Sequence, residues 1–590
     1  MIEIVNVHSK ETRAFGWVQD SSSVNNLCDV VAIFDSDSDF HKKIKNEIIP
    51  KIVLENDGRK QMIEALNSKP LALKYKLLTG TAFSPRSLSR CNGIVQAAVK
   101  GQKRPFIVDW AADNFIRWAH AVGFIKYNYT DDTFSITEKG LELTHSVTDK
   151  EKELLLINAI LSYPPAYRIL SLLRNPDKSL TKFELGEKLG FTGEEGFICY
   201  PVRSIIAALA ENPDKKERAK IRSDWESSSD KYARTIAQWL GHLGLVQNCK
   251  KEVSVKYGHK LFSDSLGAFC ITPKGERILR NIDGNSKHSK IVKNVSYELF
   301  ATKGSDREYL RFRRSLILKS LIDNKNKITL EKIKAFLKTY NLEESEETIR
   351  DDIVGFINLG LNVEVYPDVV LLKDVVSDFL IPVYKDLTIK SELSKEKDEV
   401  RKQLKVLSHD YLSLMDLAFD SGQNRLFEIK AMDLFLNECG FYGRHLGGAN
   451  KPDGVLYTDE SYSVCSGKEN YGIIVDMKAY SGGYNLPIAQ QDEMKRYISN
   501  NKKRDEKINS TKWWSEFPDS LKKFYFMFVS GSFKGEISDK LNKIFLETKV
   551  SGTAMSIVTA LLVADKIKGN EMTLQDFEKH ICNTEYSNKE

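Results

Sequence analysis

Three stretches in the first part of the chain repeat one pattern of apolar and polar positions. Each begins with apolar residues three and four positions apart, which is typical of an amphipathic helix, and reaches a glycine. Two short runs follow, separated by a turn, as in a β-hairpin. The repeats lie at residues 117–143, 237–279 and 355–374, and their helices end near Gly123, Gly244 and Gly360. This order predicts three winged helix-turn-helix units in series.

Winged helices commonly read DNA, but they also serve as protein-interaction and scaffolding modules. The third repeat lacks clustered basic residues near its helix, so DNA contacts and protein contacts are both open for it. Of the two, we predict protein contacts. Three units in series suggest that the N-terminal region reads DNA.

The helix of the second repeat, expected from about Asp230 to Leu243, separates into two faces when its residues are placed about 100° apart. The apolar face comprises Ala233, Ile236, Ala237, Leu240 and Leu243. The polar face carries Lys231, Arg234 and Gln238. Base-reading side chains lie near the N-terminus of a helix in the major groove, so Lys231 and Arg234 are candidates for contacts with guanine or phosphate. A solvated helix face is the simpler alternative.

The C-terminal region carries candidate chemistry at two strand ends. KPDGVLY places Asp453 at the start of a short apolar strand, and YGIIVDMKAY places Asp476 and Lys478 at the end of another. Side chains alternate along a strand, so Asp476 and Lys478 share a face while Met477 lies on the other. If the strands pair, two carboxylates and an ammonium converge.

Two carboxylates without histidine or thiolate suit a hard cation such as Mg²⁺. The ion polarises a phosphate and activates water, while Lys478 positions that water or stabilises negative charge, so the pattern predicts phosphodiester hydrolysis. The sequence motifs PD and DxK are short enough to arise by chance, and an aspartate at a strand end is usually a turn residue. Glu428, on a neighbouring predicted helix, is either a further acid of the site or a surface residue.

Composition adds limits to this picture. The chain has 590 residues and is 42% hydrophobic, enough for roughly three to five domains. No apolar run approaches the roughly 18 to 20 residues of a membrane span, and the first residues do not resemble a signal peptide, so we expect a cytoplasmic protein without membrane contact.

The eight cysteines show no CxxC spacing that would indicate zinc or a disulfide framework. The net charge is +6, of which residues 1–388 carry +7 and residues 389–590 carry −1, and this distribution suits an N-terminal region that binds phosphates.

Longer motifs in both halves resemble the FokI-like type IIS restriction endonucleases. The C-terminal motifs are GRHLGGANKPDG, GIIVDMKAYSGGYNLPIAQQDEMKRY, the WW pair at Trp513 and Trp514, and FMFVSGSFKG. The N-terminal motifs are TRAFGWVQD, IRWAHAVGFIKY, SYPPAYRIL, KSLTKFELGEKLGF and WESSSDKYAR. The resemblance covers nearly the whole chain. It implies that Asp453 and Asp476 bind Mg²⁺ in a PD-(D/E)xK nuclease core whose catalytic lysine is Lys478.

We therefore expect a multidomain α+β protein. Winged-helix-like recognition subdomains are expected at residues 1–150, 151–290 and 291–375, then a linker at 376–388 and an α/β PD-(D/E)xK cleavage domain with a mixed sheet at 389–590. The resemblance implies an enzyme that binds double-stranded DNA at a short asymmetric site, GGATG, and cuts both strands at a fixed distance outside it. It also implies a partner DNA methyltransferase in a bacterial host.

One nuclease site cuts one strand, so a double-strand break takes two sequential events or two domains placed symmetrically. The resemblance implies a transient homodimer on DNA, with Asp492 and Arg496 on the dimer helix. The alternative for these two residues is an ion pair on the surface of one helix.

The resemblance also implies DNA contacts. The residues that match the family's contacts are Gln19, Arg86, Trp110, Glu226, Lys231 and Arg234. Asp20 and Ser223 stand where the family pattern has Asn, and Ala111 where it has Ser, so Asp20 and Ser223 enter the predicted DNA-binding set with altered hydrogen bonds. Aspartate accepts from a cytosine amino group, whereas asparagine bonds adenine, so Asp20 is expected to change the preferred base if it faces one.

Two other functions stay open. A transcription factor would use the winged helices without an acidic metal site. A homing, repair or phage-defence nuclease would act on damaged, methylated or branched DNA. The resemblance implies that the cleavage domain is held against the recognition region until DNA binds.

Overall fold

The computed structural model describes residues 2–7, 13, 15–82, 90–175, 177–257, 260–284, 290–384, 387–459, 462, 467 and 469–586. The chain forms two compact units. The first comprises Met1–Phe191, Ser227–Lys251 and Leu266–Lys390, and the second comprises Thr192–Glu226, Glu252–Ser265 and Ser391–Glu590. Across these described residues, no helix has the length and apolar character needed to cross a bilayer.

The first winged-helix unit lies in the first compact unit. It is preceded by β1 (Glu3–Asn6), α1 (Val24–Ala32), α2 (Asp39–Lys43), α3 (Ile49–Ile52) and α4 (Arg59–Leu66). The unit itself comprises β2 (Leu73–Lys74), α5 (Tyr75–Thr79), α6 (Ile94–Ala98), α7 (Asp109–Ala121), β3 (Ile125–Asn128), β4 (Thr133–Ile136) and α8 (Glu138–Thr144). Phe15 is completely buried, and its ring centroid lies 4.9 Å from that of Tyr127 and 5.1 Å from that of Phe134. Aromatic packing therefore attaches the N-terminal segment to the hairpin.

The second winged-helix unit is longer. Its elements are α9 (Asp149–Ser162), α10 (Pro164–Leu172), β5 (Leu180–Thr181), α11 (Lys182–Gly186), α12 (Val202–Glu211), α13 (Lys215–Asp224), α14 (Ser228–His242), β6 (Val246–Tyr257), β7 (Lys260–Ile271) and α15 (Pro273–Asp283). Helix α14 begins at Ser228 because Ser227 and Asp230 form a reciprocal capping box. All five residues of the predicted apolar face are buried. Helices α12 and α13 and the tip of the β6–β7 hairpin belong to the second compact unit.

The third winged-helix unit completes the first compact unit. Its elements are α16 (Arg307–Asp323), β8 (Lys327–Thr329), α17 (Leu330–Lys338), α18 (Glu346–Leu359), β9 (Val363–Val365) and β10 (Val369–Leu372). Strand β11 (Leu380–Val383) follows this unit, within the residues predicted as the linker, and pairs in parallel with β1. Asp352 of α18 binds the buried Arg313 and Arg314 of α16. A shared carboxylate satisfies two guanidinium groups that burial would otherwise penalise.

The three units share one topology. Their sheets run β2-β4-β3, β5-β7-β6 and β8-β10-β9, so in each a short first strand pairs with the last strand of the hairpin. The glycines that follow the long helices, Gly123, Gly244 and Gly360, have φ angles of +82°, +68° and +105°. These left-handed conformations end each helix and turn the chain into the hairpin. The predicted threefold repeat is confirmed.

The second compact unit is built on a six-stranded mixed sheet. Its elements after the linker are α19 (Glu392–Gln403), α20 (Ser413–Leu417), α21 (Asn424–Asn437), β12 (Tyr442–His445), β13 (Gly454–Tyr457), β14 (Tyr471–Lys478), α22 (Ile488–Lys503), β15 (Lys523–Ser530), α23 (Ile537–Thr548), β16 (Gly552–Ser556), α24 (Ile557–Lys568), α25 (Leu574–Lys579) and β17 (Thr584–Glu585). The strand order is β12-β13-β14-β15-β16-β17. The pairs from β12 to β14 are antiparallel, and those from β14 to β17 are parallel. The predicted α+β class with a mixed sheet is confirmed.

Strand β14 is the central strand that carries the candidate acids. Its residues are buried from Tyr471 to Met477, which explains the near-continuous apolar run that precedes Asp476. Ile474 packs in a core with Trp513 and Trp514. On α21, Met432 lies so close to Gly454 that a Cβ there would be 2.5 Å from the Met432 sulfur, so a larger residue after Asp453 would have to displace the Met432 side chain.

Candidate functional site

The predicted acids converge at the ends of two paired strands. The antiparallel register places Gly454 opposite Val475. The residues next to them, Asp453 and Asp476, therefore also lie opposite each other. The Asp453 Oδ2 atom accepts a hydrogen bond of 2.7 Å from the backbone N–H of Met477. Lys478 Nζ lies 2.8 Å from Asp476 Oδ1 and 3.4 Å from Asp453 Oδ2. The structure therefore brings together the two carboxylates and the ammonium that the sequence predicts to converge.

The environment of Asp476 opposes its charge. The residue is only 4% exposed, and among the described residues its Oδ2 atom has no hydrogen-bond partner. Burial and the nearby Asp453 carboxylate raise the pKa of Asp476 despite the attraction of Lys478. Burial alone would lower the pKa of Lys478, but the two carboxylates outweigh it and raise that pKa. Lys478 therefore stays charged. The positive charge near Asp476 is not enough to offset the cost of burying its carboxylate.

This arrangement fits a divalent cation. Asp453 and Asp476 present oxygen ligands, and the unpartnered buried oxygen of Asp476 is a group that a cation would satisfy. Across the part of the chain that the structure describes, no group of three or more His, Cys, Asp or Glu side chains is arranged to hold a metal. Two carboxylates are sufficient for Mg²⁺, which usually retains several of its water ligands.

A second pair lines the same cavity as Asp453. Glu428 of α21 and His445 at the end of β12 meet with 3.1 Å between Glu428 Oε2 and His445 Nε2. Together with Asp453 they line a cavity of about 540 Å³. From the residues alone, Glu428 stays open between an acid of the site and a surface residue, and His445 is not predicted. The signal for His445 was its place in HLGG, whose strand pairs His445 with Gly454, the residue next to Asp453.

The opposite wall of this cavity comes from α12, α13 and Tyr257, all within the second compact unit. Ion pairs fasten this wall to the six-stranded sheet and to α21. Arg444 of β12 lies 2.6 Å from Glu211 of α12, and Arg203 of α12 lies 2.7 Å from Asp433 of α21. These contacts are not predictable from the local pattern, because the partners are more than 200 residues apart in the chain.

Five of the predicted DNA-contacting residues lie in the first compact unit. Trp110 is 48% exposed at the start of α7. Gln19 donates its backbone N–H to Asn114 of α7, and Asp20 donates its backbone N–H to Thr235 of α14. Lys231 and Arg234 lie on the polar side of α14, and Arg234 forms an ion pair with Asp20. The segment with Gln19 and Asp20 therefore contacts both long helices.

The other predicted DNA-contacting residues lie elsewhere. Ser223 is exposed near the end of α13, and Glu226 is half-buried, both in the second compact unit. Ala111, the position at which the family pattern has Ser, is half-buried on α7. Arg86 lies outside the described residues.

The predicted dimer residues are exposed on α22. Asp492 has a side-chain exposure of 62% and Arg496 of 53%. Asp492 pairs with Lys495, and Arg496 pairs with Glu493. Both side chains therefore take neighbours three residues away instead of each other, unlike the i, i+4 surface pair considered as an alternative.

Comparisons with known families cover most of the chain. Residues 13–146 match the family described as FokI, recognition domain, subdomain 1, and residues 151–267 match subdomain 2 of the same recognition domain. Residues 300–367 match FokI, D3 domain, and residues 390–587 match FokI, cleavage domain.

Full-length relatives are similar over nearly all of their length. The type II restriction enzyme FokI of Planomicrobium okeanokoites is 42% identical over 97% of this chain and 99% of that protein. The type II restriction enzyme StsI of Streptococcus sanguinis is 36% identical over 98% of this chain and 96% of that protein. The solved structure of restriction endonuclease FokI superposes with a TM-score of 0.88 at 40% identity, and the structure of FokI bound to DNA with 0.88 at 41%. Each covers 98% of this chain and 100% of the solved chain.

Proposed function

Because this chain belongs to the FokI family of type II restriction enzymes, we propose that it binds a short asymmetric DNA site and cuts both strands at a fixed distance outside it. In this proposal residues 1–150, 151–290 and 291–375 are recognition subdomains, 376–388 the linker and 389–590 the cleavage domain. The observation that carries the proposal is the convergence of Asp453, Asp476 and Lys478 at one edge of the mixed sheet.

Asp453 and Asp476 are the residues that would hold Mg²⁺. When bound, the ion supplies a Lewis acid for the scissile phosphate and lowers the pKa of a coordinated water. The chain supplies the rest. The Met477 N–H holds one oxygen of Asp453 in place, and Lys478 keeps a permanent ammonium beside both acids. That ammonium stabilises the negative charge that develops on the phosphate oxygens as water attacks.

The wall formed by α12 and α13 suggests control of access. Asp453 and residues of α12 and α13 line the same cavity of about 540 Å³. We propose that this wall moves away when the enzyme binds its recognition site. Enzyme that is not bound to the site then does not cut DNA. The ion pairs of Arg203 and Arg444 hold the closed state.

The remaining features of the proposal follow from family membership. The expected site is GGATG, read by Gln19, Asp20, Trp110, Lys231 and Arg234 of the first unit with Arg86, Ser223 and Glu226. Two cleavage domains form a transient homodimer on DNA through Asp492 and Arg496. A partner methyltransferase would protect the DNA of a bacterial host, in whose cytoplasm the enzyme would act.

The test is to incubate the full-length protein with plasmid DNA and Mg²⁺ and sequence the ends. We expect breaks at one offset from one short asymmetric sequence. Asp453→Ala should lose more than about 100-fold in rate while still binding that sequence. Asp519→Asn, which changes a fully exposed acid of the same domain, is the matched control. Random breaks, or cleavage that survives Asp453→Ala, would contradict the proposal.

A further inference from the structure

Asp20 is fixed in an unusual position between the first two recognition helices. Its φ angle of +59° lies in the left-handed region, which aspartate and asparagine tolerate better than other side-chain-bearing residues. Its backbone N–H donates to the hydroxyl of Thr235, a fully buried residue of α14, over 2.9 Å. Its neighbour Gln19 donates to Asn114 of α7 over 2.9 Å. The backbone at Asp20 is therefore held independently of its own side chain.

The Asp20 carboxylate forms an ion pair with Arg234 on the polar side of α14. Both side chains remain accessible, with exposures of 39% for Asp20 and 32% for Arg234. An exposed ion pair contributes little to stability, because water screens it. The pair instead restricts the directions in which the guanidinium can donate.

The two helices around this pair form one packed surface. Trp118 of α7 and Trp239 of α14 stack with 4.4 Å between ring centroids and 8° between ring planes. Trp239 also donates its indole N–H to the backbone oxygen of Ser21, next to Asp20. Because the stacked Trp118 and Trp239 hold α7 and α14 in a fixed arrangement, a side chain placed between these helices has a defined position relative to both.

The two partners have opposite hydrogen-bonding capacities. Arginine only donates, and its best base partner is guanine, through O6 and N7. An ionised aspartate only accepts, so it favours the amino group of cytosine and repels the carbonyl oxygens of thymine and guanine and the N7 acceptor of adenine. An asparagine at the same place would both donate and accept, and would exclude neither class of base edge.

Resting on the proposed function, we propose that Asp20 is the specificity-determining residue of this enzyme and acts with Arg234 as one reading unit. Asp20 orients the Arg234 guanidinium toward a guanine. Its own carboxylate accepts from a cytosine in the adjacent base pair. The target therefore contains a guanine and a cytosine at adjoining positions, and a base with a carbonyl edge is excluded where the cytosine stands.

The test is a selection of bound duplexes from a randomised DNA pool, which does not need cleavage. It compares the full-length wild type with Asp20→Asn, Arg234→Gln and the double variant. Asp20→Asn keeps the side-chain shape and tolerates the positive φ, so folding is preserved. Asp37→Asn, which changes an exposed acid elsewhere in the first subdomain, is the matched control.

We expect the wild type to require the cytosine, and Asp20→Asn to lose about tenfold or more of that preference and to accept thymine or adenine there. The preference for the adjoining guanine should loosen in the same variant. Adding Asp20→Asn to Arg234→Gln should cause no further loosening at the guanine, because the two residues act as one unit.

Identical base preferences in wild type and Asp20→Asn would overturn the inference, as would additive effects of the two substitutions. Wild-type protein that selects no sequence would also overturn it, because nothing would then be read. Sequence-specific binding without any cleavage would contradict the proposed nuclease function but leave the reading unit supported. The two proposals therefore fail in distinguishable ways.

Discussion

The backbone N–H of Met477 donates to the carboxylate of Asp453 across the β13–β14 pair, over 2.7 Å. This bond crosses from one strand to the other at the position where the two candidate metal ligands face each other. It fixes Asp453, which lies just before its strand, with the precision of a sheet hydrogen bond. Side chains on strands are better positioned for chemistry than those on free loops.

Binding of Mg²⁺ should release a proton from Asp476. Burial and Asp453 raise the pKa of Asp476 to about 8, so the folded protein holds a proton there at lower pH. The ion binds the deprotonated carboxylate, so its affinity should rise about tenfold per pH unit from about pH 6 toward 8 and then level off. Calorimetry of the DNA-free protein in two buffers measures the released proton. Affinity that does not change with pH, or proton release that persists in Asp476→Asn, would contradict this assignment.

Replacement of Lys478 by Met should slow cleavage and shift Mg²⁺ binding to higher pH. Loss of the ammonium should slow cleavage by roughly 100-fold to 1,000-fold, because charge on the phosphate is no longer stabilised. Lys478 also lowers the pKa of Asp476, so its removal should shift the onset of Mg²⁺ binding to higher pH. Single-turnover cleavage and calorimetry measure the two effects. Lys507→Met, at an exposed position, is the control, and an unchanged pH profile would show that Lys478 does not act on Asp476.

Weakening the wall over Asp453 should release cleavage without the recognition site. Arg203→Ala removes the ion pair with Asp433, and Glu211→Ala removes the ion pair with Arg444. Cleavage of DNA that lacks the site should rise about tenfold for each 1.4 kcal/mol by which the closed state is destabilised. Glu399→Ala breaks the surface pair of Glu399 with Lys402 and serves as the control. The wall has no inhibitory role if both variants cut such DNA at the wild-type rate.

Charge reversal on α22 should test the dimer. Asp492→Arg and Arg496→Asp each place like charges against each other across a two-fold axis, so each variant alone should lose double-strand cleavage. An equal mixture of the two variants should regain it, because opposite charges then face each other at both symmetry-related contacts. Nicking and linearisation of a plasmid distinguish the outcomes. Full activity of either variant alone would show that this pair does not form the interface.

Asp352→Ala should destabilise the third winged-helix unit. The substitution removes the carboxylate shared by Arg313 and Arg314, both of which stay buried, at a cost of about 3–5 kcal/mol. Urea unfolding followed by circular dichroism measures the loss. Asp368→Ala, at an exposed site in the same unit, should change stability by less than about 0.5 kcal/mol. Equal stability of the two variants would contradict the importance of this network.

The sequence by itself determined the local parts of this protein. Apolar periodicity located the helix-and-hairpin repeat and the buried face of α14, because the 3.6-residue and two-residue periods are fixed by backbone geometry. Alternation along β14 placed Asp476 and Lys478 on one face. The longer motifs determined the family, which the comparisons confirm.

Only the tertiary structure decided which distant residues meet. The register that sets Asp453 opposite Asp476, the Glu428–His445 pair and the Asp20–Arg234 pair all join separate elements. Contacts between distant segments also place α12 and α13 in the same compact unit as the six-stranded sheet. A sequence pattern specifies which face of an element is apolar, but many partners can satisfy that face. The choice among them depends on packing and ion pairing between segments far apart in the chain.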